Sequence, residues 1–443
     1  MNTLTSKKTA PAVVMMYVFL IVMSSLLNAR TIDVNTARTV ARHFYWDNCM
    51  DGKSFSFDDI IPVLAHMEVM NGDTLYYIFN YQANNGFIIV AAQEASYPVI
   101  GYADQGFLDP NDPDPSPEFT WWMERCAAQI QFAIDHQVQP TQEISQFWAY
   151  LQTKPSQPVS KSVVNPFVTT TWAQGCNYNN SCPVMTGGPC GRGLVGCVAV
   201  AMGQALKYYD RPIRGNGSAS YTHATLGTIS ATFNLDYDWD NMPNSLTTTT
   251  TDVDELLFHC GVSVNMNYGT GSSGAWPYNN SVVADAFKDH FYIKSGCINK
   301  LRTSYTASAW SDLIRTEILA YRPVIYGGGS GSAHAWVIDG VNDNYNSTGN
   351  RYFHCNWGWS GSYDGWFLIT DLTPGSYDFN ALEEIVTGIE PKTSNLTYWG
   401  PDNMTFTNNN LYINCRVWNN GDAPSAPHSV AYYLSTNTII SNS

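Results

Sequence analysis

The stretch from Gly196 to Tyr209 leaves few alternatives for the fold around it. Val198, Ala201, Met202, Ala205 and Tyr209 recur at helical spacing and form one apolar stripe, and Pro212 and Gly215 close the run. This is a buried helix, and it needs a core on all sides. Apolar residues make up 44% of the 443 and aromatics 14%, so that core can be built. Cys197 then sits in the first turn. A helix N-terminus carries about half a positive charge and unpaired N–H groups, and both favour a thiolate, the nucleophilic form of cysteine. Alone, such a residue is also readable as one more small buried hydrophobe.

The length suggests two or three domains at ~150 residues each. Charged residues are only 13%, about half the usual share. Lys and Arg number 22 against 37 Asp and Glu, a formal charge of −15. Scattered acidity of this kind excludes a phosphate-neutralising surface and hence nucleic-acid binding. The aromatic content excludes disorder, and no period of 20–50 residues marks a solenoid or propeller. Lys7 and Lys8 precede an apolar run from Ala12 to Leu27 that ends at Leu27-Asn28-Ala29. That pattern reads as a secretory signal peptide over 1–29, the alternative being an uncleaved anchor. No later segment reads as a membrane span, so the mature chain is expected to be secreted or displayed on the cell surface. Ten cysteines in a secreted chain permit disulfides but are too sparse for a disulfide scaffold.

Three further regions follow. Residues 30–160 open on a short amphipathic helix after Val34 and continue with apolar runs at Thr74–Tyr81, Gly86–Ala92 and Pro98–Ala103. Asn84-Asn85-Gly86 is a hairpin signal, and a Pro/Asp stretch from Asp109 to Pro117 ends the sheet. Trp122, Cys126, Ile130 and Ala133 then predict a second helix. Thr153–Asn165 lacks periodicity and reads as an exposed linker open to proteolysis. Residues 161–391 are densest in Gly, Trp and Cys. In 392–443, Leu411, Ile413, Cys415 and Val417 alternate as a strand, Asn419-Asn420-Gly421-Asp422 turns, and Ser429–Leu434 is a second strand, the start of an Ig-like β-module or a tail.

A thiolate needs a base. His334 follows the Gly-rich run 327–331 and opens a buried strand, Ala335-Trp336-Val337-Ile338-Asp339-Gly340. Its separation from Cys197 falls in the ~130–150 residues of papain-type enzymes, although a strand histidine is also an ordinary hydrogen-bonded core residue. Asn356, in His354-Cys355-Asn356-Trp357-Gly358-Trp359, could orient the imidazole, and Trp357 or Trp359 could shield the ion pair from water. Gln174 in Thr171-Trp172-Ala173-Gln174 could donate to an oxyanion. Cys176, Cys182 and Cys190 suggest a disulfide more than a metal site, since no C-x-x-C or partner histidine is near. Gly191-Arg192-Gly193-Leu194-Val195-Gly196 satisfies a dinucleotide fingerprint but has no strand before it.

Together, Thr171–Gln174, Gly196–Ala199, His334–Gly340 and Asn356–Trp359 resemble the streptopain family of papain-like cysteine peptidases. Asn265–Gly269 with Ser272–Ala275 resembles its substrate-side loop, and Phe379-Asn380 and Gly388–Pro391 its C-terminal edge. Tyr77–Asn80, Gly86–Val90 and Gly101–Asp104 are similar to the family's propeptide. The resemblance implies an α+β chain: an α+β propeptide domain, then a papain-like peptidase fold, then the beginning of a β-sandwich-like module. It implies a zymogen, cleaved between about Lys154 and Pro166, that hydrolyses protein or peptide substrates and carries its own propeptide as inhibitor. Cys197 is then the nucleophile, His334 the base, and Gln174 with the Cys197 N–H the oxyanion hole. Trp357 flanks the histidine, and Asn356 matches less closely. No metal or cofactor is implied. Ala333 departs from the glycine expected before the histidine, and the Gly-rich stretch of the family is shorter here, around Thr373–Asp378. A silent binding protein on the same scaffold, and a transpeptidase using the same thioester, are the competing readings.

Overall fold

The computed structural model describes residues 29–50, 53–54, 56–153, 162–276, 278–328, 334–343, 351–372, 382–393, 396–407 and 410–419. The apolar run read as a signal peptide, the linker from 154 to 161, Ala333, Thr373–Asn380 and the strand expected at Ser429–Leu434 lie outside these residues. Among the described residues no helix is long and apolar enough to cross a membrane.

The chain is mixed α and β, as expected. Helix α1 (Val34–Asn48) is followed by strands β1 (Val63–Met70), β2 (Asp73–Asn80), β3 (Phe87–Ala91) and β4 (Val99–Ala103). Helices α2 (Pro117–Asp135) and α3 (Gln142–Gln152) and strand β5 (Ser162–Val164) come next, then α4 (Cys197–Tyr209). A hairpin, β6 (Ser218–His223) and β7 (Gly227–Thr232), precedes α5 (Thr251–Ser263), α6 (Val282–His290), β8 (Ile298–Leu301) and α7 (Ala307–Leu319). The remaining strands are β9 (Val324–Gly328), β10 (His334–Asp343), β11 (Tyr352–Asn356), β12 (Gly365–Phe367), β13 (Glu383–Thr387), β14 (Leu396–Thr407) and β15 (Asn410–Asn419).

One sheet runs through both large regions in the order β1-β2-β3-β4-β12-β11-β10-β9-β13-β8, with β5 paired to β10. The sequence suggests two separate units, whereas the structure joins them at β4 and β12, where Tyr102 faces Trp366 and Gly101 faces Phe367. A Cβ on Gly101 would meet the Phe367 ring at 2.3 Å, so only glycine lets the strands close there.

The central strands are buried on both faces, and period-2 alternation sorts their side chains into two cores. Trp336 and Ile338 of β10 join the core built from α1, α2, α3 and β1–β4, while Ala335 and Val337 join the core around α4 and α5. Tyr326 and Ile325 of β9 and Ile385 and Val386 of β13 divide the same way. Each such large side chain contributes about 1.5–3 kcal/mol by leaving water. His334 starts β10 at the border between these cores.

Strand β1 escapes the sequence reading. Its apolar residues Val63, Leu64, Met67 and Val69 are exposed, so it shows no alternation, although Asn71 and Gly72 with positive φ make the hairpin turn after it. In the C-terminal segment, β15 coincides with the expected strand at Leu411–Val417, and β14 is an antiparallel partner the sequence reading does not identify.

Candidate active site

Cys197 opens α4, as its sequence position predicts. Gly196 caps the helix at φ 91°, and a Cβ there would meet Met266 at 2.7 Å and the Ser273 carbonyl at 3.1 Å. The backbone N–H of Ala335 on β10 favours charge on the sulfur, and so do those of Val198 and Cys197, the helix-terminus effect inferred from the sequence. They do not win. Burial first, and the negative Glu118 carboxylate second, push the Cys197 thiol up to about 12. Burial and the Glu118 carboxylate thus oppose the thiolate in this form of the chain.

The cause lies in the N-terminal region. Ser116 caps α2, Pro117 begins it, and Glu118 follows with its side chain 1% exposed. Glu118 Oε2 accepts from Ser116 Oγ at 3.1 Å, and Oε1 accepts from Gln174 Nε2 at 3.0 Å. Glu118 Oε1 is also 3.8 Å from His334 Nδ1. One ligand atom each of Glu118, Cys197 and His334 lies within 4.8 Å of the others. Gln174, the expected oxyanion donor, thus donates to a carboxylate oxygen. His334 Nδ1 is buried and has no hydrogen-bond partner.

Further contacts fix α2 across the site. The Trp121 ring stands 5.8 Å from that of His334, and the Arg125 guanidinium lies 4.7 Å over Trp121. Arg125 Nη1 pairs with Glu383 Oε1 at 2.5 Å, and Tyr326 donates to the other oxygen of this fully buried carboxylate. The Pro/Asp stretch is tied down as well: Trp359 Nε1 donates to the Asp114 carbonyl at 3.0 Å, and Tyr363 donates to Asp112.

Two sequence assignments change. Asn356 does not orient His334. Its Oδ1 accepts from Gln204 Nε2 and the Gly358 N–H, both at 3.1 Å, and its Nδ2 donates to the Thr170 carbonyl at 2.7 Å. Gln204 in turn accepts from the Trp172 N–H, so Asn356 ties α4 to the loop that carries Gln174. Trp357 is wholly buried against Trp336 and Phe367, and the aromatic beside His334 is Trp121. A close carboxylate partner is found instead at His354, whose Nδ1 is 2.6 Å from Asp339 Oδ1.

Cys176 pairs with Cys190, leaving Cys182 a buried free thiol. The bridge anchors the loop just after Gln174. The glycine motif at 191–196 follows a 3₁₀ turn, not a strand, and so is no dinucleotide site. A cleft of about 960 Å³ opens beside Cys197 and His334. Asn265, Asn267, Ser272 and Ala275 line it, as the sequence resemblance implies, and so do Trp359, Pro117 and Glu118. Glu118 goes unnoticed in the sequence because an acid in the first turn of a helix is ordinary dipole compensation. The Ser116-Pro117-Glu118 signature gives the helix start and nothing about what faces it.

Comparison with known proteins agrees with this layout. The Peptidase C10 family model matches residues 172–367, and a Spi protease inhibitor model matches 29–130. The thiol protease/hemagglutinin PrtT of Porphyromonas gingivalis is 29% identical over 355 residues, 74% of this chain and 38% of that protein. This chain therefore spans little more than a third of that relative's length. Streptopain of Streptococcus pyogenes is 29% identical over 352 residues, 73% of this chain and 82% of its own. The structure of a fragment of prointerpain A from Prevotella intermedia superimposes with a TM-score of 0.58 at 28% identity, covering 75% of this chain and all of that one.

Proposed function

Because the chain belongs to the streptopain-like peptidase C10 family, with a Spi-type inhibitor region ahead of the peptidase, we propose that it is the latent form of a secreted cysteine endopeptidase. In this reading Cys197 is the nucleophile, His334 the base, and Gln174 with the Cys197 N–H the oxyanion hole. Residues 30–160 act as the propeptide and 161–391 as the peptidase. The observation that carries the reading is the Glu118 carboxylate, bound by Gln174 at 3.0 Å and facing both Cys197 and His334. In this reading it takes the partner that the reaction's own anion would use.

The chemistry follows from removing it. Once α2 leaves, the negative charge that raises the Cys197 thiol is gone, and His334 Nδ1 has no competitor for the sulfur. The proton passes from Sγ to the imidazole, and the thiolate attacks the substrate carbonyl. The oxyanion forms between Gln174 Nε2 and the Cys197 N–H, an arrangement in which one donor is worth about 2.7–4 kcal/mol. His334 then gives its proton to the leaving amine. Water, deprotonated by the same imidazole, hydrolyses the thioester and restores the thiol. Asn356 is a positioning residue that keeps Gln174 and α4 in register.

The test compares the purified chain, residues 30–443, with its Cys197→Ala variant by intact mass and casein cleavage under reducing conditions. Loss of the N-terminal ~130 residues, in line with the ~100–150 of a domain, with casein cleavage only in the unsubstituted chain, is the expected result. Silence of both, even after a trace of trypsin, favours the binding-scaffold reading. Adding an amine acceptor and analysing the products separates hydrolysis from transpeptidation.

A further inference from the structure

We propose that the latent chain binds a zinc-class divalent cation through Glu118, Cys197 and His334, a site that is complete only while α2 covers the cleft. The inference rests on the reading of Cys197 and His334 given above and adds a regulator to it. Among the described residues, this is the group of three metal-ligating side chains whose ligand atoms converge, all within 4.8 Å of one another. A point central to three such atoms lies within about 2.8 Å of each, and small side-chain rotations close that gap to zinc–ligand bonds of roughly 2.0–2.3 Å.

The donor set selects the metal. Thiolate, imidazole and carboxylate together suit zinc and its neighbours, whereas calcium and magnesium take oxygen alone. The His334 Nδ1 is buried with no hydrogen-bond partner, so it faces the cluster with its bonding capacity unused. Glu118 is already oriented as a ligand, since Gln174 Nε2 and Ser116 Oγ hold its two oxygens, as outer partners orient carboxylates around metals. The cleft beside the cluster leaves room for water as a fourth ligand. On binding, the Cys197 S–H bond breaks, a sulfur–metal bond forms, and the proton goes to solvent.

The consequence is a second lock. With α2 in place the ion has three protein ligands and occupies both members of the catalytic pair. Without α2 it keeps two, and affinity falls. Loss of the propeptide and loss of the ion are then linked, each favouring the other.

Cobalt(II) is the probe, added to the full chain at neutral pH and followed by absorbance, with zinc(II) as competitor. One equivalent of cobalt should bind with a sulfur-to-cobalt charge-transfer band in the near ultraviolet and the strong visible bands of four-coordinate cobalt. Zinc should displace it. Glu118→Gln should weaken binding at least ~10-fold, as should processing of the chain. Cys197→Ser should remove the band. Absence of the sulfur band in the unsubstituted chain overturns the inference whatever the variants do. So does a band that survives Cys197→Ser, or equal affinity before and after processing. Casein cleavage by the processed chain is read separately. Cleavage with no cobalt site sinks this inference alone, and a cobalt site with no cleavage sinks the peptidase reading while the site stands.

Discussion

Two helix N-termini meet in the cleft, and they are built in opposite ways. Helix α2 begins Ser116-Pro117-Glu118, with a side-chain cap, a proline that presets the first turn and an acid beside the positive end. It satisfies its own terminus. Helix α4 begins Gly196-Cys197, with no side-chain cap, and directs the N–H groups of Cys197 and Val198 at a sulfur. It keeps its terminus for chemistry. The anion placed beside that chemistry comes from the other helix. A local rule describes each helix correctly, and the proposed inhibition comes only from their meeting.

The largest test of this contrast acts on α4. Cys197→Ala should lower casein hydrolysis by at least ~10⁴-fold while leaving the fold intact; measurable self-processing in that variant would move the nucleophile elsewhere. Next is the group between the helices. In the processed enzyme Gln174→Ala should reduce kcat by ~10²–10³ with little change in KM, and a change confined to KM would deny it the oxyanion role.

The third test acts on α2. With the Cys197 thiol held at about 12, iodoacetamide should alkylate it slowly in the latent chain at pH 8. Glu118→Gln keeps the shape and removes the charge, and should speed that alkylation roughly tenfold or more, read by peptide mapping. An unchanged rate would leave burial as the sole cause.

The fourth concerns the anchor of α2. Burial raises Glu383 from its ordinary 4.5 to about 7, against the opposing pull of Arg125. A carboxylate raised in the folded state contributes stability that is complete below about 4.5 and is lost as pH rises through about 7. In a Cys197→Ala background, Glu383→Gln should therefore flatten the fall in urea midpoint across that window, whereas identical slopes would mean the pair does not respond to pH. Smallest is Asn356→Ala, which should cost about 1–3 kcal/mol of stability through its unpaired partners and leave the pH profile of kcat unmoved. A shifted profile would return Asn356 to the role of orienting His334.

The same contrast explains what the sequence could disclose. Cys197, His334 and the 265–275 loop carry their meaning in neighbouring residues: an apolar helical stripe, a buried strand, a Gly/Ser-rich turn. Those patterns point to elements that the structure brings to one cleft. Glu118, Trp121 and Arg125 lie on a helix whose pattern is complete without them, and their roles depend on His334, Gln174 and Glu383, which are remote in the chain. Asn356 escapes for the same reason, since its three partners, Gln204 on α4, Thr170 in the loop before it and Gly358 just past β11, all lie off β10. Strand β1 was missed because an edge strand with apolar residues on both faces has no alternation to detect.

The joint between β4 and β12 changes how activation must be counted. Two registered residue pairs cross it, and α2 is held besides by packing, by the Arg125–Glu383 pair and by hydrogen bonds from Gln174 to Glu118 and from the Leu372 N–H to Gln129. None of these contacts is touched when the linker is cut. Cutting converts a tethered partner, present at an effective concentration near the millimolar range, into one present at its bulk concentration. In the proposed zymogen, the severed N-terminal region would remain a ligand for the surface it just left, and the enzyme would be freed by dilution or by destruction of that fragment. Activity after processing should accordingly rise on dilution, and in a concentrated pool the same molecules should stay silent longer.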